Sequence, residues 1–190
     1  MYLKAFRHLI NEFFPIVAFF ITAQLFSFYV ATATLIITTS IALGVGWFTE
    51  KRLPILPVIS GFFVLISGLI TIFYKAPDAL IFGDSLYYLL MGTTILIGLF
   101  FKVFILKLIF GDTFAMHDLG WIILSRRWVL IFILAGIINE VARHTLTPED
   151  WVQFKVLKII TIAIFGFYQF TLSRRYRLRE HSNAWGIRIN

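Results

Sequence analysis

Glu140 and His144 stand one helical turn apart, with Asn139 just before them and Lys155 and Lys158 on the next apolar segment. A carboxylate and an imidazole at that spacing can pass a proton between them, and a lysine from a neighbouring helix can neutralise the carboxylate. All of these residues sit in strongly apolar surroundings, where an ionisable side chain is costly unless it is paired or used. Catalysis asks for more than this. The chain has no cysteine, and His8, His117, His144 and His181 are scattered with no two on one helical turn. That pattern falls short of a metal site. No nucleophile elbow, phosphate loop or paired acidic motif is present. The expectation is therefore a protein without enzymatic activity, cofactor or metal.

The candidate residues need two helices to position them. At about 100° per residue, Trp121, Ser125, Trp128, Phe132, Asn139 and Arg143 share one stripe of the first. Trp151, Lys155, Lys158, Ile162 and Gln169 share one stripe of the second. Between them Thr147-Pro148-Glu149 makes a short turn, with Thr147 as N-cap, Pro148 at the first helical position and Glu149-Asp150 at the positive end of the dipole. The two helices should then be antiparallel neighbours. Glu140 lies eight residues before Pro148 and Lys155 seven after it, so both sit about 10–12 Å below the turn. This predicts that Glu140 pairs with Lys155 or Lys158, with Asn139 hydrogen-bonding nearby. Two roles remain open for the group. One is a structural polar pair that fixes helix docking, with Trp121, Trp128 and Trp151 as anchors. The other is a proton or substrate relay through Glu140 and His144.

Composition says where these helices lie. Of the 190 residues 59% are hydrophobic and 14% charged, and the mean hydropathy is +0.88. A soluble domain carries about 25% charged residues, so this chain could not cover its apolar surface in water. Five segments are long enough to cross a bilayer, at about 20 residues each. They are Phe28–Phe48, a span from near Pro54 to Tyr74, Leu86–Phe101 with an extension toward Phe110, Ile122–Ala142 and Val156–Leu172. Phe13–Phe26, interrupted by Pro15 and Gln24, is either a short sixth span or a re-entrant helix. Ala31-Thr32-Ala33 resembles a signal cleavage site, but the apolar run continues to Phe48, beyond the length of a signal peptide core. The fold expected is all-α: one integral membrane domain over residues 1–190.

The net charge of +7 comes in short groups between apolar runs, without the continuous basic face a nucleic-acid binder needs. Glu50-Lys51-Arg52, the stretch 102–127 and the basic tail over 174–190 fall on one side of the membrane. The 75–84 and 143–150 loops on the other side hold only Lys75 and Arg143 as strong bases. The positive-inside rule makes the C-terminus cytoplasmic. Lys102 and Lys107, on otherwise apolar sequence, read as an in-plane helix or the snorkelling end of a span. Glycines inside the spans should allow close helix approach.

From Asp118 to Val156 the order is Asp118, Trp121, Leu124, Trp128, Phe132, Asn139-Glu140-Val141, then Trp151-Val152-Gln153-Phe154-Lys155-Val156. With Phe14-Pro15, Phe19-Phe20 and Tyr29-Val30-Ala31-Thr32-Ala33 upstream, this resembles the bacterial intracellular septation protein A family, also called the inner-membrane-spanning YciB family. Ile81-Phe82-Gly83-Asp84-Ser85 departs from the family's usual Phe-Ile-Lys-Trp-Lys-Pro-Thr-like motif. His117, Gln153 and Lys158 stand where proline, asparagine and glycine are common. The resemblance implies a non-enzymatic protein of the bacterial inner membrane. It implies a role in envelope integrity, septation and cell shape through contacts with division and elongation proteins, besides contact with membrane lipids. From the residues alone, the alternative is a small transporter or channel with a polar site between the last two helices.

Overall fold

The computed structural model describes residues 2–50 and 55–189, with the side chains of residues 2–13, 49, 50 and 55 left aside. Lys51, Arg52 and Pro54 therefore lie outside the described residues, as do the side chains of Lys4, Arg7 and Glu12. Seven α-helices follow in order: α1 Tyr2–Leu25, α2 Phe28–Glu50, α3 Ile55–Tyr74, α4 Pro77–Phe100, α5 Ile105–Phe110, α6 Asp118–Thr145 and α7 Pro148–Arg175. A 3₁₀ turn at Arg179–His181 comes after α7. Among the described residues there is no β-strand, only three isolated antiparallel bridges. Five stretches are long and apolar enough to cross a membrane: Phe28–Phe48, Leu56–Tyr74, Pro77–Phe100, Asp118–Thr145 and Pro148–Arg175. Phe14–Leu25 within α1 is a shorter apolar helix. The all-α, five-span fold with a short N-terminal element is what the sequence predicts.

Both ends of α4 differ from the sequence reading. α4 begins at Pro77, nine residues before Leu86. Proline suits the first helical position, and Asp78 in the first turn complements the dipole. Asp78, Gly83, Asp84 and Ser85 dilute the apolar signal without breaking the helix, so residues 77–85 are span and not loop. At the other end, α4 does not extend toward Phe110. It stops at Phe100, Lys102 turns into the left-handed region at φ 58°, and α5 is a separate element.

The chain divides into two compact units, Met1–Tyr87 with Ile138–Val156, and Tyr88–Ile137 with Leu157–Asn190. In the first, α1 and α2 meet through a bend at Phe26. Its core gathers Phe19, Phe28, Ala31, Leu35, Leu80, Ile81, Ala142, Trp151 and Val152. Phe28 lies edge-on between Phe19 and Trp151, with both centroid distances 6.3 Å. A Cβ at Gly68 would stand 2.9 Å from Ile36 Cδ1 of α2, and at Gly83 2.6 Å from Ser67 Cβ of α3. These contacts give the close helix approach expected of small residues in a membrane. Thr32 and Thr38 donate to the carbonyls of Phe28 and Thr34 four residues back, which satisfies their hydroxyls within their own helix.

The second unit is centred on Ile95, Leu106, Met116, Trp121, Leu124, Val129 and Leu172. Trp128 packs on Phe132 of α6 and Phe165 of α7 at 5.1 and 5.3 Å. The residues after α7 fold back on the α5–α6 connection. His117 N–H donates to Tyr176 O, Leu178 N–H to Ala115 O, Ala115 N–H to Gly186 O and Arg188 N–H to Thr113 O. The basic tail thus ends in a backbone-paired clasp.

Candidate functional site

Asn139 of α6 is fully buried and is the hub of a polar cluster in the first unit. Its amide nitrogen donates to the carbonyl of Ile81 and to Ser85 Oγ, both at 2.9 Å. Its carbonyl oxygen accepts from Trp151 Nε1 at 3.0 Å. One side chain therefore ties α6 to α4 and to α7. Four residues on from Trp151, Lys155 Nζ donates to Asp84 Oδ1 of α4 at 2.6 Å and lies 4.7 Å from the centre of the Trp151 ring. Both partners are secluded, with side chains 8% and 13% exposed. Polar groups in so apolar a setting are tolerated when they satisfy one another, as these do.

The predicted pairing of Glu140 with Lys155 or Lys158 is not formed. Glu140 instead takes Arg143 of its own helix, with His144 Nε2 at 3.3 Å from the same carboxylate oxygen. Arg143 also reaches Asp78 of α4 at 3.5 Å. The reason is helical phase. Asn139 occupies the direction toward Trp151, and Glu140, about 100° further round, meets the guanidinium one turn on. Lys155 is answered by Asp84, which the sequence reading left in a loop. Glu140 and His144 are in contact as their spacing predicts, and Arg143 Nη2 lies 3.0 Å from the same imidazole nitrogen.

The remaining candidates are in the second unit. Lys158 is buried, with its ammonium 4.6 Å from the centre of the Tyr88 ring. Trp121 is 1% exposed in that unit's core, and Trp128 belongs to its aromatic stack. Arg127 Nη1 donates to Gln169 Oε1 at 3.1 Å, linking α6 to α7. The sequence reading missed Asp84, Ser85 and Asp78. The signal for them was Pro77-Asp78, a helix start that puts Ile81, Asp84, Ser85 and Tyr88 on successive turns of α4. Among the described residues no three His, Asp or Glu side chains gather as metal ligands.

A multi-pass helical bundle cemented by a polar cluster of asparagine, tryptophan and a buried ion pair defines a class of membrane protein, and sequence comparison narrows it. Residues 7–180 match the family described as Intracellular septation protein A. The protein named Inner membrane-spanning protein YciB from Brucella melitensis is 33% identical over 157 residues, covering 82% of this chain and 71% of that one. Its namesake from Agrobacterium fabrum is 32% identical over 154 residues, covering 81% and 74%. No solved structure matches. The chain belongs to the intracellular septation protein A family, a family of bacterial inner-membrane proteins.

Proposed function

We propose that the protein is a non-enzymatic scaffold of the inner membrane that supports septation, envelope integrity and cell shape by docking division and elongation proteins. The observation that carries this reading is the polar cluster. Hydrogen bonds among Asn139, Ser85, Trp151, Lys155 and Asp84 tie α4, α6 and α7 to one another, as buried polar groups do when they fix helix packing. A bundle held in register can present a constant surface to partner helices. The distribution of Lys and Arg supports a cytoplasmic C-terminus. The test is affinity capture of the mildly crosslinked full chain from its native membrane. Reproducible recovery of cell-wall synthesis or division proteins is the expected result, and none from well-folded protein would overturn the reading.

A second reading, a small transporter or channel, draws on the Asp84–Lys155 pair, since intramembrane ion pairs also mark ion and proton pathways. It predicts flux into liposomes that Asp84→Asn abolishes.

A further inference from the structure

In the second unit, a recess of about 360 Å³ opens where α5, the start of α6 and the folded-back tail meet. Its lining carries charges of both signs, Lys107 and Arg188 beside Asp118, together with His117, Phe114 and Trp121. Lys107 Nζ donates to Asp118 Oδ1 at 2.6 Å, so one carboxylate oxygen holds the lysine and the other is left for a ligand. Arg188 Nε donates to Gly111 O at 3.1 Å, which anchors the guanidinium beside the recess that Arg188 lines. Each of these groups comes from a different part of the chain, and the backbone clasp brings them together.

The surroundings are those of a bilayer interface. Phe100, Phe101 and Leu108 are 79%, 76% and 74% exposed, next to Lys102 and Lys107. A short helix with a lysine and a large apolar side chain both outward, Lys107 and Leu108, is suited to the headgroup boundary. The volume is at the small end of ligand sites and fits a compact polar group.

We propose that this recess binds the phosphoethanolamine headgroup of a zwitterionic phospholipid, with Lys107 and Arg188 on the phosphate and Asp118 on the ammonium. A purely anionic headgroup would bring its charge against the Asp118 carboxylate. A phosphoethanolamine group satisfies both signs. The site is independent of the scaffold reading, since it involves none of the polar cluster.

Native mass spectrometry of the delipidated full chain in detergent tests it, with dihexanoyl phosphatidylethanolamine, dihexanoyl phosphatidylglycerol, free phosphoethanolamine and inorganic phosphate as probes. The ethanolamine lipid should bind about three- to fivefold tighter than the glycerol lipid, the scale of one half-exposed charge pair. Asp118→Asn should bring that ratio to about one, Asp118→Glu should keep it, and Arg188→Gln should weaken both lipids together. Tighter binding of the glycerol lipid, or a preference unmoved by Asp118→Asn, would overturn the proposal. Inorganic phosphate competing as well as the lipid would mark a free-phosphate site and overturn it too. Should Asp118→Asn fail to fold, Arg188→Gln decides, because unchanged lipid binding in that variant is incompatible with the site.

Discussion

Lys155 of α7 and Asp84 of α4 form a secluded ion pair at 2.6 Å, with the lysine's ammonium also over the ring of Trp151. Removing Asp84 leaves the Lys155 ammonium in an apolar setting without the carboxylate that pairs with it. Asp84→Ala should therefore destabilise the protein by about 3–5 kcal/mol, the range for breaking a buried pair. Replacing both, as Asp84→Leu with Lys155→Met, removes the uncompensated charge and should cost much less. Thermal unfolding in detergent measures the difference. Equal melting points for the single and double variants would mean that the pair is not secluded in the membrane-bound protein.

Asn139 serves three partners at once, so no other side chain of its size replaces it. Asn139→Leu is nearly equal in volume but strands the Trp151 indole N–H, while the Ile81 carbonyl, inside α4, keeps its helical hydrogen bond. About 1–3 kcal/mol is expected for each buried group left unsatisfied. Trp151→Phe removes the indole donor to Asn139 Oδ1. Because the two residues share one hydrogen bond, the losses in the double variant should add to less than their sum, with a coupling of about 0.5–3 kcal/mol. Strict additivity in a denaturant series would place the indole N–H on a different acceptor.

Glu140 should matter less than its position in the sequence suggests. Its side chain is a third exposed, although carboxylate Oε2 is itself buried, and its ion-pair partner Arg143 is on the same helix three residues on. Such pairs contribute about 0–1 kcal/mol, so Glu140→Gln should lower stability by no more than that in detergent. A loss as large as that of Asp84→Ala would show that Glu140 reaches a buried partner.

The contrast between Glu140 and Asp84 shows what the sequence could and could not convey. Periodicity along one helix is a local property, and it correctly put Asn139, Trp151, Lys155 and Lys158 on buried faces. Matching depth across the Thr147–Pro148 turn was also sound geometry, but depth does not fix rotation about the helix axis. A rotation of one residue position separates Asn139 from Glu140, and that rotation is set by packing against α4. The first turns of α4 were missed because hydropathy averages over a window: Asp78, Asp84 and Ser85 lowered the score of residues 77–85, although Pro77-Asp78 is a strong helix start. The polar residues of α4 that make the site were the ones that hid its start. The tail clasp was invisible for a different reason. It consists of backbone hydrogen bonds between segments some 70 residues apart, such as Arg188 to Thr113, and no side-chain pattern encodes them.

Gly186 is the residue on which that clasp turns. Its φ of 77° lies in the left-handed region, and a Cβ there would stand 2.6 Å from the carbonyl oxygen of Ser173. Either feature alone disfavours a side chain, the first by about 1–2 kcal/mol. Gly186→Ala should therefore release the segment around it without unfolding the spans. The amides report where the release stops. Ala115 N–H donates to Gly186 O and should exchange with solvent faster in the variant, as should Arg188 N–H on Thr113 O. His117 N–H is held by Tyr176 O and Leu178 N–H by Ala115 O, nearer the end of α7, and both should keep most of their protection. Hydrogen exchange resolved by residue distinguishes this from the alternative, in which all four amides accelerate together because the clasp opens as one unit from α7 outward.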